Sequence, residues 1–243
     1  MDPNLVENVD LLCLDAGNTI VFLDHDRLAR ACARVGVATT AAALLRAEGA
    51  AKLAAERGPL QDFVWSCADV RSAAGWARTV GCIFQCAGVP GERVPQLLDA
   101  LWPDHCEQNF WCRVPAGLAG ALDHARARGV LVAVISNSEG MLEQLFDRLG
   151  ILRSFDAVID SGIVGVEKPD PRIFQFALDR FRVGPDRALH LGDMYATDVL
   201  GARAAGMRVA LIDPYRHMDG RHLSVPRVAG VAEVAEAVAQ RRG

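Results

Sequence analysis

The spacing of hydrophobic residues changes along this chain. Five short apolar runs, each followed by turn or polar residues, predict buried strands at 9–14, 130–135, 157–160, 188–191 and 208–212. Between and after the later runs, apolar residues recur every three or four positions, which predicts helices at 116–128, 141–149, 171–180, 197–205 and 233–242. Buried strands that alternate with amphipathic helices are typical of a parallel sheet with helices on both faces.

A different pattern occupies the region from about residue 24 to residue 111. This region is rich in alanine and has helical spacing at 44–53, 76–87 and 94–102, with breaks at Thr39-Thr40 and Pro90-Gly91. We predict no strand there. Because one isolated first strand has no partner, it must join the later sheet, and the helical block is an insertion. We therefore predict an α/β core, residues 1–22 and 114–243, and a helical domain at 23–113.

Composition argues against several classes of protein. The net charge of −4 over 243 residues offers no basic field, so we expect no nucleic-acid partner. The amino-terminal residues lack the basic start and apolar run of a signal peptide, and no apolar stretch is long enough for a membrane span. Seven cysteines without a C-x-x-C pair argue against a disulfide framework or a zinc site, and favour a cytoplasmic location.

Polar residues lie at or after the ends of three predicted strands and in one predicted loop. Asp15 follows the first strand, Ser136 ends the second, Lys168 lies in a later loop, and Asp193 and Asp198 follow the fourth. Ligands of parallel sheets bind at the carboxyl ends of the strands, so these side chains predict one site. Carboxylates suit a hard divalent cation such as Mg²⁺, while a hydroxyl and an ammonium group suit a phosphoryl group. An aspartate nucleophile would form an aspartyl-phosphate.

The segments that carry these residues resemble the four motifs of the haloacid dehalogenase (HAD) superfamily, in the order that the family has them. They are Leu12–Thr19, Val134–Asn137, Lys168–Phe174 and His190–Gly206. Each motif alone is weak, but four in order are a strong signal. The resemblance implies a Rossmann-like core of subfamily I, and it identifies the helical insertion as a C1-type cap that closes over the site and selects the substrate.

The resemblance also implies a role for each residue. Asp15 would be the nucleophile and a metal ligand, while Ser136 and Lys168 would bind the phosphoryl group. The remaining assignments are metal ligation by Asp193, direct or water-mediated metal support by Asp198, a metal-ligating carbonyl at Gly17, and phosphate contacts from Asn137 and Thr19. The substrate would be a small phosphorylated metabolite, the cofactor Mg²⁺, and the protein a monomer or homodimer.

One position departs from the family pattern. Phosphatases of the family carry a second aspartate two residues after the nucleophile, as general acid and base, where this chain has Gly17. Loss of such a group costs roughly 10²–10⁴-fold in rate. The first reading is a phosphatase that uses a substitute acid or a good leaving group. Asp24, His25 and Asp26 follow the first strand, but we interpret them as a polar hairpin or a helix start.

Two further readings are left open by Gly17. The second is a binding protein that keeps the site without turnover. The third is a phosphonatase that uses Lys52, the one lysine of the helical block, as a Schiff base, although Lys52 reads as a solvent-facing helical residue. The retained Asp193 disfavours a dehalogenase, which needs no metal.

We interpret one histidine and the tryptophans as residues of the hydrophobic core. His190 lies on a predicted buried strand and is interpreted as a satisfied core histidine. The tryptophans of the helical block are interpreted mainly as its core: Trp65, Trp76, Trp102 and Trp111.

Overall fold

The computed structural model describes residues 2–242, except the side chains of Arg71 and Ser72. Contacts between residues divide the chain into two compact units. The first unit combines the segment that ends at Phe22 with the segment that begins at Arg113, and the second unit is Leu23–Cys112.

The described residues form eight strands and ten α-helices, with short 3₁₀ and π turns between them. The strands are β1 Leu11–Leu14, β2 Phe22–Leu23, β3 Trp111–Arg113, β4 Leu131–Ser136, β5 Ala157–Asp160, β6 Ala188–Gly192, β7 Arg208–Ile212 and β8 Arg227–Val228. The helices are α1 His25–Arg34, α2 Ala41–Ala55, α3 Arg71–Cys86, α4 Val94–Glu107, α5 Leu118–Ala127, α6 Leu142–Arg148, α7 Ser161–Val164, α8 Pro171–Phe181, α9 Leu200–Ala204 and α10 Val231–Gln240.

A six-stranded parallel sheet forms the first unit, in the order β5-β4-β1-β6-β7-β8, with helices on both sides. The predicted Rossmann-like α/β core is therefore confirmed. The chain leaves β1 towards β4 and leaves β6 towards β7, so the connections diverge between β1 and β6. Such a switch point opens a crevice at the carboxyl ends of the two strands.

Strand β1 shows why its residues are all apolar. Leu11 and Cys13 face the layer of α8 and α9, and Leu12 and Leu14 point to the opposite face. All four side chains are fully buried. A strand covered on both faces has no solvent side, so its hydrophobic pattern is continuous.

The second unit is a helical bundle. Asp24 and Thr40 cap α1 and α2 by accepting hydrogen bonds from backbone N–H groups of the first turn. Trp65 and Trp76 lie in the buried core of the bundle, and Trp102 and Trp111 pack against it while partly exposed. The core interpretation of the tryptophans is therefore confirmed.

Three short strands were not predicted. β2 and β3 form a separate two-stranded sheet at the ends of a segment predicted to hold no strand, and β8 adds an edge to the main sheet. Each has only two or three residues. A segment that short cannot display the period-two alternation on which strand prediction depends.

Candidate active site

Strand order brings the predicted site residues to one edge of the sheet. β1 lies between β4 and β6, and the three strands run parallel in register. Asp15 follows β1 directly, Ser136 is the last residue of β4, and Asp193 follows β6. Asp15 therefore occupies the centre of the crevice, with Ser136 and Asp193 on either side.

Two donors hold one oxygen of the Asp15 carboxylate. The Ser136 hydroxyl donates to Asp15 Oδ1 over 3.1 Å, and the Lys168 ammonium donates to the same oxygen over 2.5 Å. All three side chains are buried, with 7% or less of each residue exposed. The orientation of the Asp15 carboxylate is thus fixed by residues 121 and 153 positions away along the chain.

Lys168 also binds Asp198. Its Nζ lies 2.6 Å from Asp198 Oδ1, and the same oxygen accepts a hydrogen bond from His190 Nε2 over 2.9 Å. The second oxygen, Asp198 Oδ2, accepts from the backbone N–H of Met194 over 3.0 Å. Asp198 is therefore held at both oxygens, and its carboxylate fixes the position of the lysine.

A glycine makes this position of Asp198 attainable. A Cβ atom at Gly192 would lie 2.2 Å from Asp198 Cγ, a distance that real Cβ atoms do not show. The carboxylate therefore folds back over the end of β6 only because residue 192 has no side chain.

Burial and charge shift the pKa values of the site. Burial, together with the Asp198 and Asp193 carboxylates, raises the pKa of Asp15 to about 6, against the lowering effect of Lys168. Burial alone would lower the pKa of Lys168, but the Asp15 and Asp198 carboxylates outweigh it and raise that pKa. Burial alone would raise the pKa of Asp198, but Lys168 and His190 hold it below its usual range. The ammonium group thus stays charged beside Asp198.

The loop after Asp15 folds back on itself. The Ala16 carbonyl accepts from the N–H groups of Ile20 and Val21 over 2.9 and 3.0 Å, and Gly17 forms a β-bridge with Val21. Thr19 is buried in this loop, and its hydroxyl has no hydrogen-bond partner among the described residues. A buried hydroxyl without a partner is unfavourable, and a phosphate oxygen would satisfy it.

Asn137 ties the second motif to the third. Its side-chain amide donates to the Lys168 carbonyl over 2.9 Å and accepts from the Lys168 N–H over 2.7 Å. Both polar atoms of the Asn137 side chain therefore position the backbone that carries Lys168, which the sequence did not predict. A phosphate contact by Asn137 stays a prediction.

Asp160 holds the loop that follows β4. Its carboxylate accepts hydrogen bonds from the N–H groups of Gly140, Leu142 and Gly162 over 2.9 to 3.2 Å. Glu139 lies in the same loop, and burial, with a smaller contribution from Asp160, raises its pKa to about 7. The loop after Ser136 is thus held in place by the Asp160 carboxylate.

Three carboxylates of the site meet the requirements of a hard divalent cation. Oxygens of Asp15, Asp193 and Asp198 lie within 4.8 Å of one another, and all three residues are buried. Magnesium ions take oxygen ligands at about 2.0–2.1 Å. Three carboxylates beside the single Lys168 ammonium carry an excess of two negative charges, which a divalent cation would neutralise. The residues present therefore fit Mg²⁺.

The residues after β2 make their contacts at the start of the helical unit. Asp24 caps α1 by accepting from the Arg27 N–H over 2.9 Å, and His25 Nε2 lies 2.9 Å from a Glu48 carboxylate oxygen within the helical unit. The interpretation of this segment as a helix start is confirmed. His25 is nevertheless largely buried, with 11% of its side chain exposed.

A comparison with known protein families places this chain in a class of proteins. The profile of the haloacid dehalogenase-like hydrolase family matches residues 9–206. The chain therefore belongs to the haloacid dehalogenase-like hydrolases, as its four motifs predicted.

Curated relatives include phosphatases. The chain is 39% identical over 138 residues to haloacid dehalogenase-like hydrolase domain-containing protein 3 of Mus musculus, covering 56% of this chain and 55% of that protein. It is 36% identical over 130 residues to a phosphoserine phosphatase of Thermus thermophilus, covering 52% and 50%. The matches thus span about half the length of these curated relatives.

Solved structures share the fold. The HAD hydrolase YfnB of Bacillus subtilis, a structure bound to magnesium, superposes with a TM-score of 0.65 at 16% identity. The match covers 95% of this chain and 98% of that one. At this identity the likeness supports the fold alone. In a separate observation, no helix in the described part of the chain is both long and apolar enough to cross a membrane.

Proposed function

We propose that this protein is a Mg²⁺-dependent phosphatase that hydrolyses a small phosphorylated metabolite through an aspartyl-phosphate on Asp15. The observation that carries the proposal is the buried Asp15 carboxylate, fixed by Ser136 and Lys168 beside two further carboxylates. Such a group combines a nucleophile, phosphoryl-binding donors and oxygen ligands within a few ångströms. The phosphatase among the curated relatives supports the same chemistry.

The reaction would proceed in two displacements. A carboxylate oxygen of Asp15 attacks phosphorus, the bond from phosphorus to the leaving oxygen breaks, and the leaving group takes up a proton. Water then attacks phosphorus in the aspartyl-phosphate, which releases inorganic phosphate and regenerates the Asp15 carboxylate. Ser136 and Lys168 would donate hydrogen bonds to the phosphoryl oxygens in both steps.

The three acidic residues would hold the cation. Asp15 and Asp193, with the carbonyl of Gly17, would be its direct ligands, and Asp198, already held at both oxygens, would support it through water. When bound, Mg²⁺ supplies charge neutralisation at the transferring phosphoryl group.

Two alternatives follow from the residue at position 17. A glycine cannot move a proton, so the protein would be a phosphate-ester binder if turnover is absent. A phosphonatase would need a lysine as Schiff base, and Lys52 lies on α2 of the helical unit. Borohydride in the presence of a phosphonate substrate would trap such an adduct, and Lys52→Arg would remove it.

The proposed surroundings are the cytoplasm, with the protein acting as a monomer or homodimer and without a nucleic-acid partner. All seven cysteines are free thiols, which supports a reducing compartment.

The first experiment is a Mg²⁺-supplemented assay with p-nitrophenyl phosphate and a panel of phosphorylated metabolites. Asp15→Asn, which keeps the size of the side chain and removes its nucleophilic charge, is the matched control. Turnover that is lost in Asp15→Asn and in EDTA would support the phosphatase. Wild-type protein as inactive as Asp15→Asn on every substrate would reject it in favour of the binder or phosphonatase.

A further inference from the structure

His190 makes a hydrogen bond that a merely space-filling core residue does not need. It lies on β6 and is fully buried. Its Nε2 is 2.9 Å from Asp198 Oδ1, the oxygen that also accepts from Lys168 Nζ. Lys168 Nζ in turn lies 2.5 Å from Asp15 Oδ1. A continuous series of hydrogen bonds therefore runs from His190 through Asp198 and Lys168 to Asp15.

The partner of the imidazole ring defines which nitrogen donates. A carboxylate accepts hydrogen bonds, so Nε2 is the donor to Asp198. Nδ1 is buried and has no hydrogen-bond partner among the described residues, and the Phe174 ring packs edge-on against the imidazole at 5.0 Å. The ring is thus fixed in a position that satisfies Nε2 alone. His190 is thus a buried core histidine, as the sequence predicted, but among the described residues only its Nε2 is satisfied.

We propose that His190 is a positioning residue, which donates from Nε2 to fix Asp198 and thereby holds the Lys168 ammonium against Asp15. The Met194 N–H group donates to Asp198 Oδ2, and His190 Nε2 donates to Oδ1 beside Lys168 Nζ. Without His190, Lys168 would be the one side-chain donor to Oδ1 among the described residues. The effect on turnover rests on the proposed phosphatase function, whereas the positioning of Lys168 does not.

Two substitutions separate the hydrogen bond from the volume of the side chain. The amide nitrogen of glutamine is as many bonds from the backbone as His190 Nε2, so His190→Gln keeps a donor towards Asp198. His190→Leu removes the donor and stays apolar. If the leucine variant does not fold, His190→Asn replaces it, because its shorter side chain ends at the level of Nδ1 and cannot reach Asp198.

The chain offers a direct view of Lys168, because Lys52 is the one other lysine in the sequence. In metal-free protein labelled with ¹³C and ¹⁵N at lysine, the Cε and Nζ signals of two residues are expected, and Lys52→Arg assigns them. We expect the Lys168 signals to shift in His190→Leu and to return towards their wild-type positions in His190→Gln. Both variants lack the imidazole ring, so a ring-current change affects them equally. Equal shifts in the two variants, or none in His190→Leu, would overturn the proposal.

Steady-state kinetics test the consequence for catalysis. We expect His190→Leu to lower kcat by about 10-fold or more, as loss of a supporting hydrogen bond does in other sites, with KM within about twofold. His190→Gln should recover most of kcat. Unchanged kcat per folded molecule in His190→Leu would overturn the catalytic part. A wild-type protein without turnover would reject the proposed function, and the lysine signals would still decide the positioning.

Discussion

At the scale of single residues, the site depends on one charge balance. Two buried carboxylates, Asp15 and Asp198, contact the ammonium group of Lys168, and a third buried carboxylate, Asp193, lies close to these two. A buried carboxylate loses its hydration, and the nearby ammonium group of Lys168 offsets part of that cost. Replacing Lys168 by an uncharged residue should therefore lower stability as well as activity.

The first prediction concerns the ammonium group of Lys168. Lys168→Met should abolish turnover and lower the free energy of unfolding by about 3–5 kcal/mol, because it leaves buried carboxylates without their partner. Urea unfolding in EDTA measures the stability change. Lys52→Met is the matched control, since it removes the other lysine of the chain outside the site. A loss of stability no larger in Lys168→Met than in Lys52→Met would contradict the charge balance described above.

A second prediction concerns the missing proton donor. Gly17→Asp introduces the carboxyl group that phosphatases of the family carry, and we expect kcat for alkyl phosphates to rise by up to roughly 10²–10⁴-fold. Gly17→Asn is the control, because it has the same size but transfers no proton. Steady-state kinetics with an alkyl phosphate provide the measurement. Similar rates in the two variants would show that proton transfer at position 17 does not limit this enzyme.

The third prediction follows from His105 in the helical unit. Burial, and to a smaller degree Arg27, lowers the pKa of His105 from 6.5 to about 3. Between these values the unfolded chain binds a proton that the folded chain does not, so stability falls as pH falls from about 6.5 towards 3. The slope from this group is at most about 1.4 kcal/mol per pH unit.

Urea unfolding at pH 7, 6 and 5 tests this dependence in the wild type and in His105→Phe. Titrating carboxylates contribute equally to both proteins, so the difference between the two curves reports the histidine. We expect a shallower pH dependence in His105→Phe. Parallel curves would exclude His105 as the source.

At the scale of elements, the end of β6 shows how backbone and side chain depend on each other. Asp198 reaches Lys168 by lying over Gly192, which leaves no room for a Cβ atom. Gly192→Ala should displace Asp198, lower kcat and destabilise the protein by about 1–3 kcal/mol.

Gly120 provides the control for that fourth prediction. It lies on α5, and an added Cβ atom would meet nothing within 4 Å. Gly120→Ala should therefore be neutral, or stabilising by up to about 1 kcal/mol, because alanine favours the helix. Thermal unfolding and kinetics of the two variants test the pair. Full activity in Gly192→Ala would show that Asp198 can bind Lys168 without lying over residue 192.

At the scale of the whole molecule, cation binding and folding stability are linked. A ligand that binds only the folded state stabilises it by about 2.7 kcal/mol at a concentration of 100 Kd. As a fifth prediction, Mg²⁺ should raise the Tm of the wild-type protein, and Asp193→Asn should largely remove that increase. The measurement is a thermal scan with and without Mg²⁺ at constant ionic strength. An increase of the same size in Asp193→Asn would place the cation elsewhere.

The amino-acid sequence by itself determined the sheet and the edge that holds the site. Continuous apolar runs indicate strands that are buried on both faces, and a polar residue after such a run indicates the carboxyl end of the strand. Asp15, Ser136, Lys168 and Asp198 could therefore be assigned to one site from the pattern, and the structure joins them by direct hydrogen bonds.

Only the tertiary structure decided which side chains hold the others in place. The bonds from Asn137 to the Lys168 backbone and from His190 to Asp198 have no signature in the sequence, and β2, β3 and β8 were too short to be predicted. The physical reason is that periodicity records whether a residue is buried and which face of its element it occupies. Hydrogen bonds between residues as far apart as Asp15 and Lys168 depend instead on how separate elements pack, which no local pattern encodes.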